Sequence, residues 1–254
     1  MSKSREETGQ SSDLVCATRR PISRKNFFKF SGLSAASFMA LSMYGCQDSG
    51  LGVLDNKSGG NNGSTDKNAD VVKLGAGDIG ILNFAYALEQ LEAAYYIQVL
   101  ENPYHNMSSD EGRILEALRE HEVAHADFYK AALGDNAIRG LEVDFSSVDF
   151  DDCASVLNTA QVFEDLGVSA YNGAGQLLED TELLLVAGKI VSVEARHAAA
   201  IRDLLKPRTG FFAGDDVIDE NGLDVVNTPN DVLAAASAFI VDEIDASELP
   251  QPNN

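Results

Sequence analysis

The sequence contains two copies of one helical pattern built from glutamate, tyrosine and histidine. Each copy begins with a glutamate that is followed by a tyrosine seven residues later. It ends with a glutamate that is followed by a histidine three residues later. The copies are Glu89 with Tyr96 then Glu122 with His125, and Glu164 with Tyr171 then Glu194 with His197. Residues three or seven positions apart share one face of an α-helix. The repeat therefore predicts four helices that each turn a carboxylate toward a common centre.

Apolar residues with helical periodicity extend over four long stretches around these motifs. The predicted helices are Asp78–Leu100, Asp110–Leu133, Asp152–Leu178 and Asp180–Leu205. Ser108 and Glu111 have the spacing of a capping box, and Asp180 is a candidate N-cap. Short links join the first helix to the second and the third to the fourth, whereas about 17 residues separate the second from the third. This order of links predicts an all-α four-helix bundle with one long crossover.

The regions on either side of the bundle differ from it in composition. The bundle is predicted over residues 76–206, and residues 207–254 form a C-terminal extension. This extension is first rich in Gly and Asp, and a short fifth helix is predicted from Pro229 through the apolar run that ends at Val241. Residues 47–75 are rich in Gly, Asn, Ser and Asp, so they are predicted to be a flexible linker.

Residues 1–46 have the features of an export signal. Basic residues between Arg19 and Lys29 precede a short apolar stretch that ends at Cys46. Residues 23–29, SRKNFFK, resemble a twin-arginine signal with Lys in the second arginine position. Residues 43–46, MYGC, resemble a lipobox, in which the cysteine is acylated. The sequence predicts an exported lipoprotein of the periplasm or cell envelope, held at the membrane only through lipid on Cys46. The alternatives are an ordinary signal peptide and an uncleaved membrane anchor.

The charge of the chain excludes one class of partner. There are 19 basic and 40 acidic residues, and the formal net charge is -21. Such a surface repels the phosphate backbone, so nucleic-acid binding is excluded. Most of these acids are expected on the solvated surface. The glutamates of the repeat are different, because their spacing turns them inward.

The inward-facing residues have the composition of a two-metal site. Buried, ionised glutamates without a cation would each cost several kcal/mol. One Glu from each of two helices plus Glu-x-x-His from each of the other two is the ligand scheme of di-iron and di-manganese bundles. Imidazole nitrogen suits both metals. Glu92 lies three residues after Glu89 on nearly the same face, so either could be the first-helix ligand. The seven-residue step to Tyr96, repeated in the third helix, favours Glu89 and places Glu92 behind the ligands.

Residues 78–205 resemble the ferritin-like superfamily of di-iron carboxylate proteins. The segments LNFAYALEQLEAAYY and VFEDLGVSAYNGAG are similar to its exported branch, which is related to desiccation-induced proteins. The resemblance implies two iron ions, or alternatively two manganese ions, and a redox reaction with dioxygen or hydrogen peroxide in stress protection. It also implies roles for the residues: Glu122 and Glu194 bridge or chelate the metals, His125 and His197 are terminal ligands, Glu89 and Glu164 complete the shell, and Tyr96 and Tyr171 hydrogen-bond carboxylates of the opposite half.

Two other classes of function are compatible with parts of the sequence. His121, Glu122 and His125 satisfy the zinc-protease motif His-Glu-x-x-His, with Glu122 as general base. That interpretation leaves Glu194 and His197 without a role. The second alternative is a non-enzymatic metal-binding protein of the cell envelope. The sequence has no Cys-x-x-Cys pair that would supply an electron-transfer centre of the rubrerythrin type. It leaves the oligomeric state open, since nothing in it indicates a storage cage.

Overall fold

The computed structural model describes residues 71–251, and these residues form a helical bundle with a small two-stranded sheet. The four long helices are α1 (Gly77–Glu101), α2 (Ser109–Leu133), α3 (Cys153–Gly175) and α4 (Thr181–Leu205), and a shorter α5 follows (Pro229–Ala236). The strands are β1 (Val72–Lys73) and β2 (Ile244–Asp245). The predicted all-α class is confirmed. The predicted export signal, Cys46 and most of the predicted linker lie outside the described residues.

The order of short and long connections is the predicted one. Residues 102–108 join α1 to α2, and residues 176–180 join α3 to α4. The helices of each pair pack mainly against each other, as expected for antiparallel neighbours joined by short links. Residues 134–152 form the single long crossover between the pairs. Within residues 71–251, no helix combines the length and the apolar character needed to cross a bilayer.

The helix starts follow from local capping chemistry. Ser108 accepts a hydrogen bond from the backbone N–H of Glu111, and the Glu111 carboxylate accepts one from the N–H of Ser108, so the predicted capping box begins α2. Asp180 accepts from the N–H of Glu182 at the start of α4, as predicted. Asp152, which was predicted inside the third helix, is instead its N-cap and accepts from the N–H groups of Ala154 and Ser155.

Two helices end earlier than the periodicity predicts. Helix α3 ends at Gly175 instead of Leu178, because the N–H groups of Leu177 and Leu178 bond three residues back and tighten the chain into a turn. Helix α5 ends at Ala236, five residues before Val241. Beyond Ala236, the N–H of Phe239 bonds three residues back to the carbonyl of Ala236, and Ile240 then pairs with Val143 of the crossover.

The predicted linker over residues 47–75 extends too far. Val72 and Leu74 are buried in the described structure, and β1 pairs in parallel with β2, with Val72 opposite Ile244. The backbone N–H of Val72 donates to Glu243, and that of Leu74 donates to Asp245. Composition places these residues with the flexible linker. Their burial shows that they belong to the folded part.

Side chains from the helices hold the crossover against the bundle. The amide of Asn83 in α1 donates to the carbonyls of Leu74 and Asn136, and its oxygen accepts from the N–H of Ile138. Phe145 of the crossover packs edge to face on Tyr95 of α1, with 5.4 Å between ring centroids. These contacts fix α1 relative to the other helices, and α1 carries one wall of the candidate site.

Candidate metal centre

The middle of the bundle gathers the glutamates and histidines of the repeat into two overlapping groups. The first group is Glu89, Glu122, His125 and Glu194, and the second is Glu122, Glu164, Glu194 and His197. Within each group, one possible ligand atom per residue lies within 4.8 Å of the others. All four glutamates are fully buried. Glu122 and Glu194 belong to both groups, so they are placed between two neighbouring positions for a metal ion.

Each histidine turns its Nδ1 atom toward three carboxylates. His197 Nδ1 lies 2.6 Å from Glu122 Oε1, 3.5 Å from Glu164 Oε2 and 3.7 Å from Glu194 Oε2. His125 Nδ1 lies 3.0 Å from Glu194 Oε1, 3.3 Å from Glu89 Oε2 and 3.4 Å from Glu122 Oε2. The two halves of the cluster therefore have the same composition and nearly the same geometry.

Eight buried atoms of this cluster lack an aligned hydrogen-bond partner in the described structure. They are both carboxylate oxygens of Glu122 and of Glu194, one oxygen each of Glu89 and Glu164, and Nδ1 of His125 and of His197. Buried polar atoms are normally hydrogen-bonded, and leaving them unpaired costs free energy. Oxygen and imidazole nitrogen are suitable ligands for iron and manganese. This donor set thus fits a pair of metal ions. Each of the two shared glutamates offers two ligand atoms, and each of the other four residues offers one.

Tyrosines hold the remaining oxygens of the outer glutamates. The Tyr171 hydroxyl on α3 donates to Glu89 on α1, and the Tyr96 hydroxyl on α1 donates to Glu164 on α3. These are the cross-bundle hydrogen bonds that the family resemblance implies. They orient each carboxylate so that its free oxygen faces the cluster.

Tyr129 extends this network, although the sequence reasoning did not single it out. Its hydroxyl oxygen lies 2.9 Å from that of Tyr171. Because Tyr171 uses its one hydroxyl hydrogen toward Glu89, Tyr129 must donate to Tyr171. Tyr129 follows Glu122 by seven residues, the same step that identified Tyr96 and Tyr171, so the signal was present. The corresponding residue seven after Glu194 is Ile201, so this feature belongs to one half only.

Glu92 lies beside the cluster and not within either group. It is buried, and its carboxylate faces Gly167 of α3: a Cβ at Gly167 would lie 3.1 Å from Glu92 Oε1 and 3.5 Å from Glu194 Oε2. Gly167 follows Glu164 by three residues, as Glu92 follows Glu89. The second copy of the repeat therefore has no side chain where the first has a carboxylate. That missing side chain makes room for a fifth buried carboxylate.

The charges of the cluster shift its pKa values strongly in the metal-free protein. Burial opposes ionisation of Glu122, but contacts with His125 and His197 lower its pKa to about 2. Burial also opposes protonation of the two histidines, but the surrounding carboxylates raise the pKa of each to about 12. Burial, reinforced by neighbouring carboxylates, raises the pKa of Glu92 well above its usual range. Among the described side chains of the cluster, the only cations are therefore the imidazolium ions of His125 and His197.

His121 lies outside both groups. This exposed residue of α2 places its Nδ1 atom 2.8 Å from His197 Nε2, on the side of the His197 ring that faces away from the carboxylates. The zinc-protease pattern requires His121 and His125 to bind the same ion. Only His125 is part of a candidate group, and its partners there are Glu89, Glu122 and Glu194, not His121.

A helical bundle with a buried cluster of this composition defines a class of protein. The family model for the ferritin-like domain matches residues 77–207, which span all four long helices. The chain belongs to this family. No match was found among curated proteins. Fold and family agree that the chain is a ferritin-like protein, with a carboxylate and histidine cluster that could hold a metal.

Proposed function

We propose that the cluster binds two iron ions, with manganese as the alternative, and that the protein is an oxidoreductase that reacts with dioxygen or hydrogen peroxide. The observation that carries this proposal is the set of eight buried, unpartnered ligand atoms arranged around two adjacent positions. Five carboxyl groups and two imidazoles lie together in this interior, and the carboxyl groups can all ionise there only beside added cationic charge. Two divalent ions would supply four positive charges.

Each residue has a defined part in such a centre. Glu122 and Glu194 would lie between the two ions, and His125 and His197 would each bind one ion through Nδ1. Glu89 and Glu164 would contribute one oxygen each, while Tyr171 and Tyr96 hold the other. Bound iron would supply the redox equivalents and the position at which the oxidant reacts. The protein would contribute charge compensation, orientation and exclusion of bulk water.

The first test is metal content per chain in two double variants, Glu122→Ala/His125→Ala and Glu194→Ala/His197→Ala. The wild type should hold about two ions, and both variants should lose most of them, because each pair serves one half of a shared site. A matched control is Glu116→Ala/Arg119→Ala, which removes a salt-bridged pair from the outer surface of α2 and should keep both ions. One zinc ion per chain, unaffected by the Glu194/His197 change, would overturn the proposal in favour of the protease.

The second test addresses redox activity. Reduced, iron-loaded protein is mixed with dioxygen or with hydrogen peroxide in a stopped-flow spectrometer, and zinc-loaded protein serves as the redox-inert control. The proposal requires an absorption change with at least one oxidant in the iron protein and none in the zinc protein. No change with either oxidant, while iron stays bound, would support a non-enzymatic metal-binding protein of the cell envelope.

The proposed location of the protein is the cell envelope, through acylation of Cys46. This proposal is supported by the basic and apolar segments that precede the cysteine. Cys46→Ala protein should fail to partition with membranes or should remain unprocessed, as judged by fractionation and by the mass of the mature N-terminus. Unchanged membrane association would contradict the lipid anchor.

A further inference from the structure

His121 makes a specific contact with one of the two histidines in the cluster. Its Nδ1 atom lies 2.8 Å from Nε2 of His197. The ring planes differ by only 12°, and the ring centroids are 5.1 Å apart. Since the nitrogens are much closer than the centroids and the planes nearly coincide, the rings meet edge to edge. This is the geometry of an in-plane hydrogen bond between two imidazoles.

The direction of this hydrogen bond follows from what surrounds His197. Its Nδ1 faces Glu122, Glu164 and Glu194, where a metal ion would be bound. A neutral imidazole that binds metal through Nδ1 carries its one hydrogen on Nε2. That hydrogen points at His121 Nδ1, which must therefore be the acceptor. His121 then carries its own hydrogen on Nε2.

Among the described residues, the other histidine of the cluster, His125, has no equivalent acceptor. Within residues 71–251, no hydrogen bond of His125 Nε2 to another protein group is found. In the repeat, His121 precedes Glu122 by one residue, and the corresponding residue before Glu194 is Val193. A histidine is thus present in only one copy, and it contacts the imidazole of the other. This difference between the two copies comes from the residue type at one position, and the helical period does not predict it.

We propose that His121 is a positioning residue for the half of the metal centre formed by Glu122, Glu164, Glu194 and His197. It accepts the Nε2 hydrogen of His197, holds the ring in its plane, and selects the tautomer whose Nδ1 is free to bind metal. Ligating histidines generally donate their second N–H to such an acceptor, and losing it weakens metal affinity about 10–100-fold. The proposal rests on the proposed two-metal function, and it makes this half the tighter-binding one.

The test compares His121→Ala with His121→Asn, because the side-chain oxygen of Asn can occupy the place of Nδ1 and accept the same hydrogen bond. Anaerobic Co²⁺ is titrated into metal-free protein and followed by its visible absorption. One of the two binding steps should weaken about 10–100-fold in the Ala variant and stay within about threefold of wild type in the Asn variant. His105→Ala, at an exposed histidine of the α1–α2 link, is the control that should leave both steps unchanged.

A second readout identifies the tautomer directly. In zinc-loaded protein with ¹⁵N-labelled histidine, the Nε2–H of His197 should be observed and slow to exchange in wild type and His121→Asn. In His121→Ala it should exchange rapidly. Two unchanged Co²⁺ binding steps in His121→Ala would overturn the inference, and so would an Asn variant as weak as the Ala variant. A wild type that binds no pair of ions would instead defeat the proposed function itself, so the two failures are distinguishable.

Discussion

Gly167 is the residue at which one added methyl group would reach the candidate metal centre. The space that its Cβ would fill borders the carboxylates of Glu92 and Glu194. Both carboxylates are buried, and Glu194 belongs to both candidate groups. The glycine is therefore required by the close approach of side chains from the other helices, since its backbone conformation is ordinary for a helix.

Gly167→Ala is expected to weaken metal binding and to destabilise the fold by about 1–3 kcal/mol, since either Glu92 or Glu194 must move. The control is Gly188→Ala in α4, where a Cβ would meet nothing within 4 Å. There the change should stabilise by about 0.5–1 kcal/mol, because alanine favours the helix. Urea unfolding and metal analysis measure both effects. If the two variants had the same stability and the same metal content, Gly167 would not be crowded by Glu92 and Glu194.

The Tyr129–Tyr171–Glu89 chain predicts unequal effects of removing two hydroxyl groups. Tyr171→Phe leaves both the Glu89 oxygen and the Tyr129 hydroxyl without a partner, so it should cost about 1–3 kcal/mol. Tyr129→Phe preserves the bond to Glu89 and should cost about 0.5–1.5 kcal/mol. The Tyr104 hydroxyl is buried without a hydrogen-bond partner in the described structure, and Tyr104→Phe should be neutral or stabilising.

A double-mutant cycle on metal-free protein completes this test. If the two tyrosines interact as described, the loss of stability in the double variant should be smaller than the sum of the single losses. Additive losses would show that the two hydroxyls act independently.

At the scale of elements, Arg202 joins the C-terminal extension to the bundle. This residue of α4 is buried, and its guanidinium donates to Asp165 of α3 at 2.7 and 2.8 Å. It also donates to Asp216 of the extension at 2.7 and 3.1 Å, and to the carbonyl of Phe211. All its N–H groups thus have acceptors. The contact keeps residues 211–216 on the outside of α3 and α4, the helices that carry Glu164 and Glu194.

Arg202→Ala should destabilise the protein by about 3–5 kcal/mol, because it removes the partner of the largely buried Asp165. Asp216→Ala should cost less than about 1 kcal/mol, since that carboxylate is half exposed and screened by solvent. Urea denaturation measures both values. Similar small losses in the two variants would show that the buried Arg202–Asp165 pair does not stabilise the fold.

At the scale of the whole molecule, the stability of the metal-free bundle depends on protons bound to its two cluster histidines. Although burial opposes their charge, the carboxylates raise the pKa of His125 and of His197 from 6.5 to about 12. The folded chain therefore holds protons that the unfolded chain loses above pH 6.5. Their contribution to stability is fully present below pH 6.5 and is lost as the pH rises through about 12. A metal ion bound at Nδ1 must displace these protons.

Metal affinity should consequently rise steadily from pH 6 to pH 8, with about two protons released from the imidazolium rings as the pair of ions binds. Up to two more should come from Glu89 and Glu164, because burial raises the pKa of each of these carboxyl groups. Calorimetric titration with Zn²⁺, in buffers of different ionisation enthalpy, counts the protons. Saturation at 100 times the dissociation constant should add about 2.7 kcal/mol per bound ion to the free energy of unfolding, which a higher melting temperature reports. A pH-independent affinity would contradict the protonated, metal-free cluster.

The sequence alone was sufficient for the features that depend on helical period and on local capping. The four helices, the capping box at Ser108, the N-cap at Asp180 and the single crossover follow from spacing within short segments. The six residues of the two candidate groups were also predictable, since steps of three and seven residues place side chains on one face whatever the helix packs against.

Tertiary structure decided the features that depend on how one helix is rotated against another. The step to Tyr96 favours Glu89 over Glu92 as the ligand, but only packing shows that the Glu92 carboxylate lies against Gly167 of another helix. Val72 and Leu74 belong to a segment that looks like a linker until β2, about 170 residues later, covers it. The pairing of His121 with His197 likewise joins two helices that are distant in sequence. Such contacts are absent from local sequence because they exist only once the bundle has assembled.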